Sequence, residues 1–264
     1  VLRPGRDALS PRLELDRSLD PLPPAERAAV EARLRTWFAA ARARQLGALT
    51  RLSALAPELS QPARGIVVQL VETMGALPRA AAAPLIASLT RADRRALAAA
   101  GVRIGVVHVF LPALLKPEPT RWRLALWAVA TRAAAMPPPP RPGLITIPLA
   151  PDAPAGFHAV AGFWALAGFG VRIDMADRAA RALHAQRAAA GSAPVAADQT
   201  MMAGLGLAPP QFAVLLEALG FRVVDGPELA FAKKARAARH IPDTSPAMEA
   251  RARPFARLGE LMGG

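Results

Sequence analysis

The chain has 264 residues, 53% of them hydrophobic, with a formal net charge of +13 and a pI near 11.6. It contains no cysteine, which excludes disulfides and thiolate metal sites and fits a cytoplasmic protein. No apolar run approaches the roughly 20 residues of a membrane span, and the polar, charged start VLRPGRDALSPRLELD does not read as a secretory signal.

Residues 1–20, with Pro4, Gly5 and Pro11, read as an irregular segment. Residues 21–135 read as a helical domain. Its first helix opens at Pro24, with Glu26 favourable in the first turn. Val30, Leu34, Trp37 and Phe38 recur at the three- and four-residue spacing of a buried stripe. Arg33, Arg35, Arg42 and Arg44 flank it, the pattern of a solvated helix face. In PARGIVVQLVETMG, residues Ile66, Val67, Leu70, Val71 and Met74 share one face and Gly75 offers a C-cap. LTRADRRALAAAG opens on Thr90, an N-cap three residues before Asp93, and closes at Gly101. VRIGVVHVFLP is short and β-branched, which predicts one strand near 102–109. RWRLALWAVATRAAA then predicts an amphipathic helix with Trp122 and Leu126 one turn apart.

The segment 136–143, MPPPPRPG, reads as a polyproline II linker between a larger N-terminal lobe and a smaller C-terminal one. Residues 144–235 read as a winged-helix-like module. LITIPL predicts a strand at 144–149, and the glycine-broken stretch after it a short helix and a strand at Val171–Ile173. A helix ending at Gly191, a second closed by Gly206 and a third opening at Pro209–Pro210 follow. The third helix buries Phe212, Leu215, Leu216 and Leu219, and a tight turn separates it from the second. Two strands around Asp225–Gly226–Pro227–Glu228 complete the module as its wing. Residues 236–264 read as a basic, flexible tail. The expected fold is mainly α with minor β, a helical array followed by a winged-helix-like module.

The excess of 33 Lys and Arg over 20 Asp and Glu points to a polyanionic partner, RNA or DNA. The third helix offers solvent only Gln211, Ala213, Glu217 and Ala218, with no cation, which argues against sequence-specific duplex reading. The candidate phosphate contacts are Lys116, Arg121 and Arg123 near the head of the tryptophan helix, and Lys233, Lys234, Arg236 and Arg239 at the wing and beyond. Trp122 and Trp127 read as core residues rather than stacking platforms. The sequence holds no G-x-x-x-x-G-K-[ST] loop, G-x-S-x-G elbow or H-E-x-x-H motif. Its four histidines lack metal-ligand spacing, and His108 reads as a half-buried, satisfied side chain. No catalytic residue, metal site or cofactor is expected in this chain.

The block LTRADRRALAAAGVRIGVVHVFLPALLKPEPTRWRLALWAVA (89–130) resembles the region beyond the motor core in alphaproteobacterial helicases of superfamily two, similar to the mitochondrial degradosome RNA helicase. ARGIVVQLVETMGALPR, GFWALAGFGVRIDM and LLEALGFRV extend the resemblance over roughly residues 50–225. It implies a parent enzyme that hydrolyses ATP with Mg²⁺ on two motor lobes to unwind duplexes, none of whose motor motifs stands in this chain. The chain, which opens on Val1, is then expected to be a C-terminal accessory region that contacts the motor lobes and binds single-stranded or junction nucleic acid without sequence preference. Two other readings stand beside it: a protein-interaction scaffold docking a motor or nuclease, and a free-standing winged-helix DNA-binding protein.

Overall fold

The N-terminal segment is ordered more than its prolines predict. In the computed structural model, which describes residues 1–224 and 229–233, β1 (Leu2–Arg3) pairs antiparallel with β2 (Arg12–Leu13). The wing turn at 225–228, Lys234, Arg236, Arg239 and the tail at 236–264 lie outside the described residues. Helix α1 (Pro24–Leu55) starts at the expected proline but bends at Leu46, where φ −116° and ψ 17° leave the helical region. Its second half buries Ala41, Leu46, Leu49 and Leu52. The stripe expected to be buried in its first half is not: Trp37 is 60% exposed and Leu34 38% exposed, with Val30 and Phe38 only partly covered. The periodicity marks an apolar face correctly, but among the described residues the ring stacked on it is Trp122, 6.3 Å from Trp37 and 5.8 Å from Phe38 between ring centroids.

Three successive units follow, and their sheets share one topology. The first runs α2 (Gln61–Glu72), β3 (Ala76–Pro78), α3 (Ala83–Ala87), α4 (Arg91–Ala99), β4 (Arg103–Ile104) and β5 (His108–Phe110). The single strand expected near 102–109 is therefore two, folded back at Gly105–Val107. β5 lies between β3 and β4, antiparallel to both. The second runs α5 (Pro117–Thr131), β6 (Thr146–Pro148), α6 (Phe157–Val160), β7 (Phe163–Ala165) and β8 (Phe169–Arg172), with β8 between β6 and β7. The third runs α7 (Ile173–Ala189), β9 (Val195–Ala196), α8 (Gln199–Leu205), α9 (Pro209–Ala218), β10 (Phe221–Val224) and β11 (Ala230–Lys233), with β11 between β9 and β10. In each unit a helix leads to a strand, then helix, then a hairpin whose last strand inserts beside the first. The fold is mainly α with minor β, as composition predicts.

The helix ends follow local chemistry. Thr90 and Asp93 form the expected capping box on α4, and Asp198 caps α8 through the N–H groups of Thr200 and Met201. Gly206, at φ +66°, closes α8, and α9 leaves at 92° to it after a short turn. Phe212, Leu215 and Leu216 are buried as expected.

Two core clusters hold the units together. The larger gathers Leu46, Ile66, Leu70, Leu97, Val109 and Leu124 but also Ile147, Phe157 and Phe163, so it continues past the proline-rich segment at 136–143. That segment has neither helix nor strand, and the cores do not divide there. The second cluster joins Val171, Leu183, Phe212, Leu216, Phe221 and Phe231. A small third one, Ala76, Phe110 and Ile173, ties the first sheet to the start of α7. Residues Val1–Lys233 thus form one compact unit. Among the described residues no single helix is long and apolar enough to cross a membrane.

Candidate nucleic-acid interface

The cations expected near the head of the tryptophan helix have three different fates. Lys116 is exposed at the N-cap of α5, with Pro117 in its first turn. Arg121 is exposed but paired, its Nη1 2.5 Å from Glu118 Oε1. Arg123 is fully buried: its Nη1 donates to the Leu114 carbonyl at 3.1 Å, while Nε and Nη2 have no partner. Burial pushes its pKa down to about 10. An interior guanidinium cannot meet a phosphate, so Arg123 leaves the set of surface contacts. The sequence placed it on the helix beside two exposed cations, and the carbonyl of Leu114, in the helical turn Pro112–Leu115 nine residues earlier, reveals which way it faces. Lys233 is exposed, but it pairs with Phe221 at the end of the hairpin remote from its turn.

Two arginines that the sequence assigned to a solvated face or passed over join Lys116. Arg44 and Arg51, from the second half of α1, line one groove with Lys116, Gln45, Gly47, Pro117 and Glu118, about 480 Å³ in volume. Gly47 makes room there, since a Cβ at this position would lie 3.1 Å from Arg51 Nη1. None of the three cations joins an ion pair among the described residues. The groove's carboxylate, Glu118, is already paired with Arg121. Its positive field is therefore uncompensated, and a phosphate entering it would gain from all three cations.

A second cationic surface lies on α4. Arg91, Arg94 and Arg95 are exposed, and Arg94 Nη2 donates to the Ile86 carbonyl at 2.7 Å. Asp93, the helix's acid, is 8% exposed and accepts from the Thr90 N–H at 2.9 Å and the Thr90 hydroxyl at 2.7 Å. The Ser60 hydroxyl, then Thr90, hold its carboxyl below the usual range. The corresponding helix of the third unit, α9, carries no cation. Gln211 Oε1 caps it by accepting from the Ala208 N–H at 3.0 Å, and Glu217 is exposed.

Where the first and third units meet, Asp177 of α7 is fully buried. Its Oδ1 accepts from the Val106 N–H at 2.6 Å, and its Oδ2 lies 3.0 Å from Arg181 Nη1, off the direction of a hydrogen bond. A side chain at Gly105 would collide with this carboxylate, which explains the glycine. His108 beside it is buried rather than half-buried, and its Nδ1 has no partner, so it is not the satisfied histidine expected. Burial pushes its pKa down to about 4, and it meets the Trp164 ring edge-on at 6.0 Å. His158 accepts from the Ala150 N–H at 3.1 Å through Nε2. Among the described residues no three His, Asp or Glu side chains converge in a way that could hold a metal ion.

An apolar groove of about 490 Å³ completes the surface, lined by Leu2, Leu34, Trp37, Phe38, Trp122 and Leu126 among others. Trp122 is partly buried and packs on the first core as expected, as does Trp127. Compared with known protein families, curated proteins and solved structures, the chain matches none.

Proposed function

We propose that this chain binds the nucleic-acid backbone without sequence preference, as a non-catalytic accessory region of an ATP-dependent helicase of superfamily two. The observation that carries the binding is the groove in which Arg44, Arg51 and Lys116, drawn from segments more than sixty residues apart, converge without an acidic partner of their own. The helicase context rests on the resemblance of residues 50–225, and ATP and Mg²⁺ belong to the motor lobes of that parent. The third unit is read as a winged helix: α8 and α9 at 92°, then a hairpin, is the arrangement that module requires. Cation-free α9 disfavours base reading by that helix, and with it a free-standing DNA-binding regulator. A cytoplasmic location accords with this reading.

Fluorescence anisotropy with labelled single-stranded RNA, single-stranded DNA and a duplex bearing a single-stranded extension, across a salt series, tests it. Binding is expected to weaken linearly in log–log form. Replacing Arg44, Arg51 and Lys116 together by Gln should reduce the salt slope by about 2–3, near one unit per lost phosphate contact. An unchanged slope and affinity would remove the groove from the interface. A chain that binds none of the probes at low salt would leave the scaffold reading, which the apolar groove around Trp37 favours: 60% exposure of a tryptophan beside Leu34 suits a protein partner.

A further inference from the structure

The three units supply an internal comparison. In each, one helix immediately precedes the hairpin: α4, α6 and α9. α6 is a single turn of four residues, too short to enter a groove, and α9 carries an exposed glutamate and no cation. α4 alone is cationic, with Arg91 and Arg95 one turn apart and exposed, outside any ion pair among the described residues. The remaining exposed positions of α4 are Ala92, Ala98 and Ala99, side chains that allow a helix close approach to another surface. Its acid is turned inward and used up by the cap. A helix with its side chains is roughly 10–12 Å across, which the roughly 12 Å width of a major groove admits, and the nine residues of α4 give about two and a half turns along it. The hairpin of the same unit is not free to grip, because Asp177 holds its turn at Val106.

We propose that α4, in the first unit rather than the third, is the helix that meets double-stranded nucleic acid, with Arg91 and Arg95 on the phosphates flanking a groove. This rests on the nucleic-acid reading above and adds to it: the duplex arm of a junction lies on α4, while the Arg44–Arg51–Lys116 groove takes phosphates elsewhere. Position 94 contributes less, since its guanidinium is held by the Ile86 carbonyl.

The test compares Arg91→Gln/Arg95→Gln with Arg17→Gln/Arg178→Gln, which removes the same charge at exposed sites outside α4. Both are measured against a blunt duplex and a single strand of equal length, with circular dichroism to verify folding. The α4 variant should lose ~10-fold in duplex affinity near 0.1 M salt and ~2 units of salt slope, with single-strand affinity within about twofold of the parent. The control variant should move both probes slightly and equally. Parental duplex affinity in the α4 variant, or an equal loss on both probes, overturns the assignment. If the α4 variant is parental while the Arg44/Arg51/Lys116 variant loses binding, the nucleic-acid reading stands and this inference falls; if the parent chain binds neither probe, both fall.

Discussion

His108 shows how one side chain sets a pH limit. Buried at 4% exposure, with its pKa pushed from 6.5 to about 4, it stays neutral in the folded chain and takes up a proton readily in the unfolded one. Its contribution is therefore fully present above pH 6.5 and is lost as pH falls from 6.5 towards 4, by up to about 3 kcal/mol. His158 is displaced in the same direction by burial, so a smaller acid-side loss has a second source. His108→Phe should flatten most of the fall in urea-unfolding free energy between pH 7 and 4.5; an undiminished fall would place the acid sensitivity elsewhere. Asp16 and Asp93, both held below the usual carboxylate range, keep their charge across that interval. The sequence placed His108 in a strand correctly but not at a junction of units, because the Trp164 ring that covers it arrives from 56 residues downstream. Arg123 and Arg121 make the same point: two residues apart on one helix, one is interior and the other carries an ion pair, and neither composition nor spacing separates them.

Helix starts and stops were the most legible elements, because caps are local chemistry. Thr90 with Asp93, Pro24, Gly206 and Pro209–Pro210 each acts where the sequence places it. Thr90→Ala removes the hydroxyl that accepts from the Asp93 N–H at 3.1 Å and donates to the Asp93 carboxylate, and should cost about 1–2 kcal/mol in urea unfolding. Thr90→Ser, which keeps both bonds, should cost less than half of that; equal losses would show that the methyl group rather than the cap matters. The strands were poorly legible for the opposite reason. β4 and β9 have two residues each, too few for alternation to register, and the three residues of β3 lie just past the Gly75 C-cap inside a domain read as helical. β3 and β9 also take their partners from far along the chain, β5 and β11 respectively, while β4 pairs with its neighbour β5. The stripe on α1 was legible as apolar but not as uncovered, since periodicity says which face is greasy and not what lies against it.

At the scale of the molecule, the repeated strand order escaped the sequence altogether. The three units differ in helix lengths and loop lengths, so no fixed period marks them, and the second replaces a helix pair by one turn and a loop. Apolar clusters run across the units, and polar links join them too: Asp177 ties the first to the third, and the Thr146 hydroxyl, donating to the Leu205 carbonyl at 2.7 Å, ties the second to the third. Asp177→Ala strands the Val106 N–H, while the half-exposed Arg181 guanidinium turns to water, and should cost about 1–3 kcal/mol, whereas Asp177→Asn retains an acceptor and should cost less. Trp37 lies on α1 and Trp122, Trp127 and Trp164 lie in the second unit, so their fluorescence reports α1 and that unit while far-ultraviolet dichroism reports all three units. The two transitions should coincide in the parent chain and separate in Asp177→Ala; coincident transitions in the variant would show that the remaining contacts couple the units.

The bond from Val106 to Asp177 also orders events during synthesis. Its partners are 71 residues apart. A ribosome adding about 5–20 residues per second needs roughly 4–14 s to pass from one to the other. Through that interval the amide at the turn between β4 and β5 has only water to bond, and its native acceptor arrives when α7 emerges with the Asp177 carboxylate. Closure of this one link between the first unit and α7 is thus timed by translation of the carboxyl-terminal part.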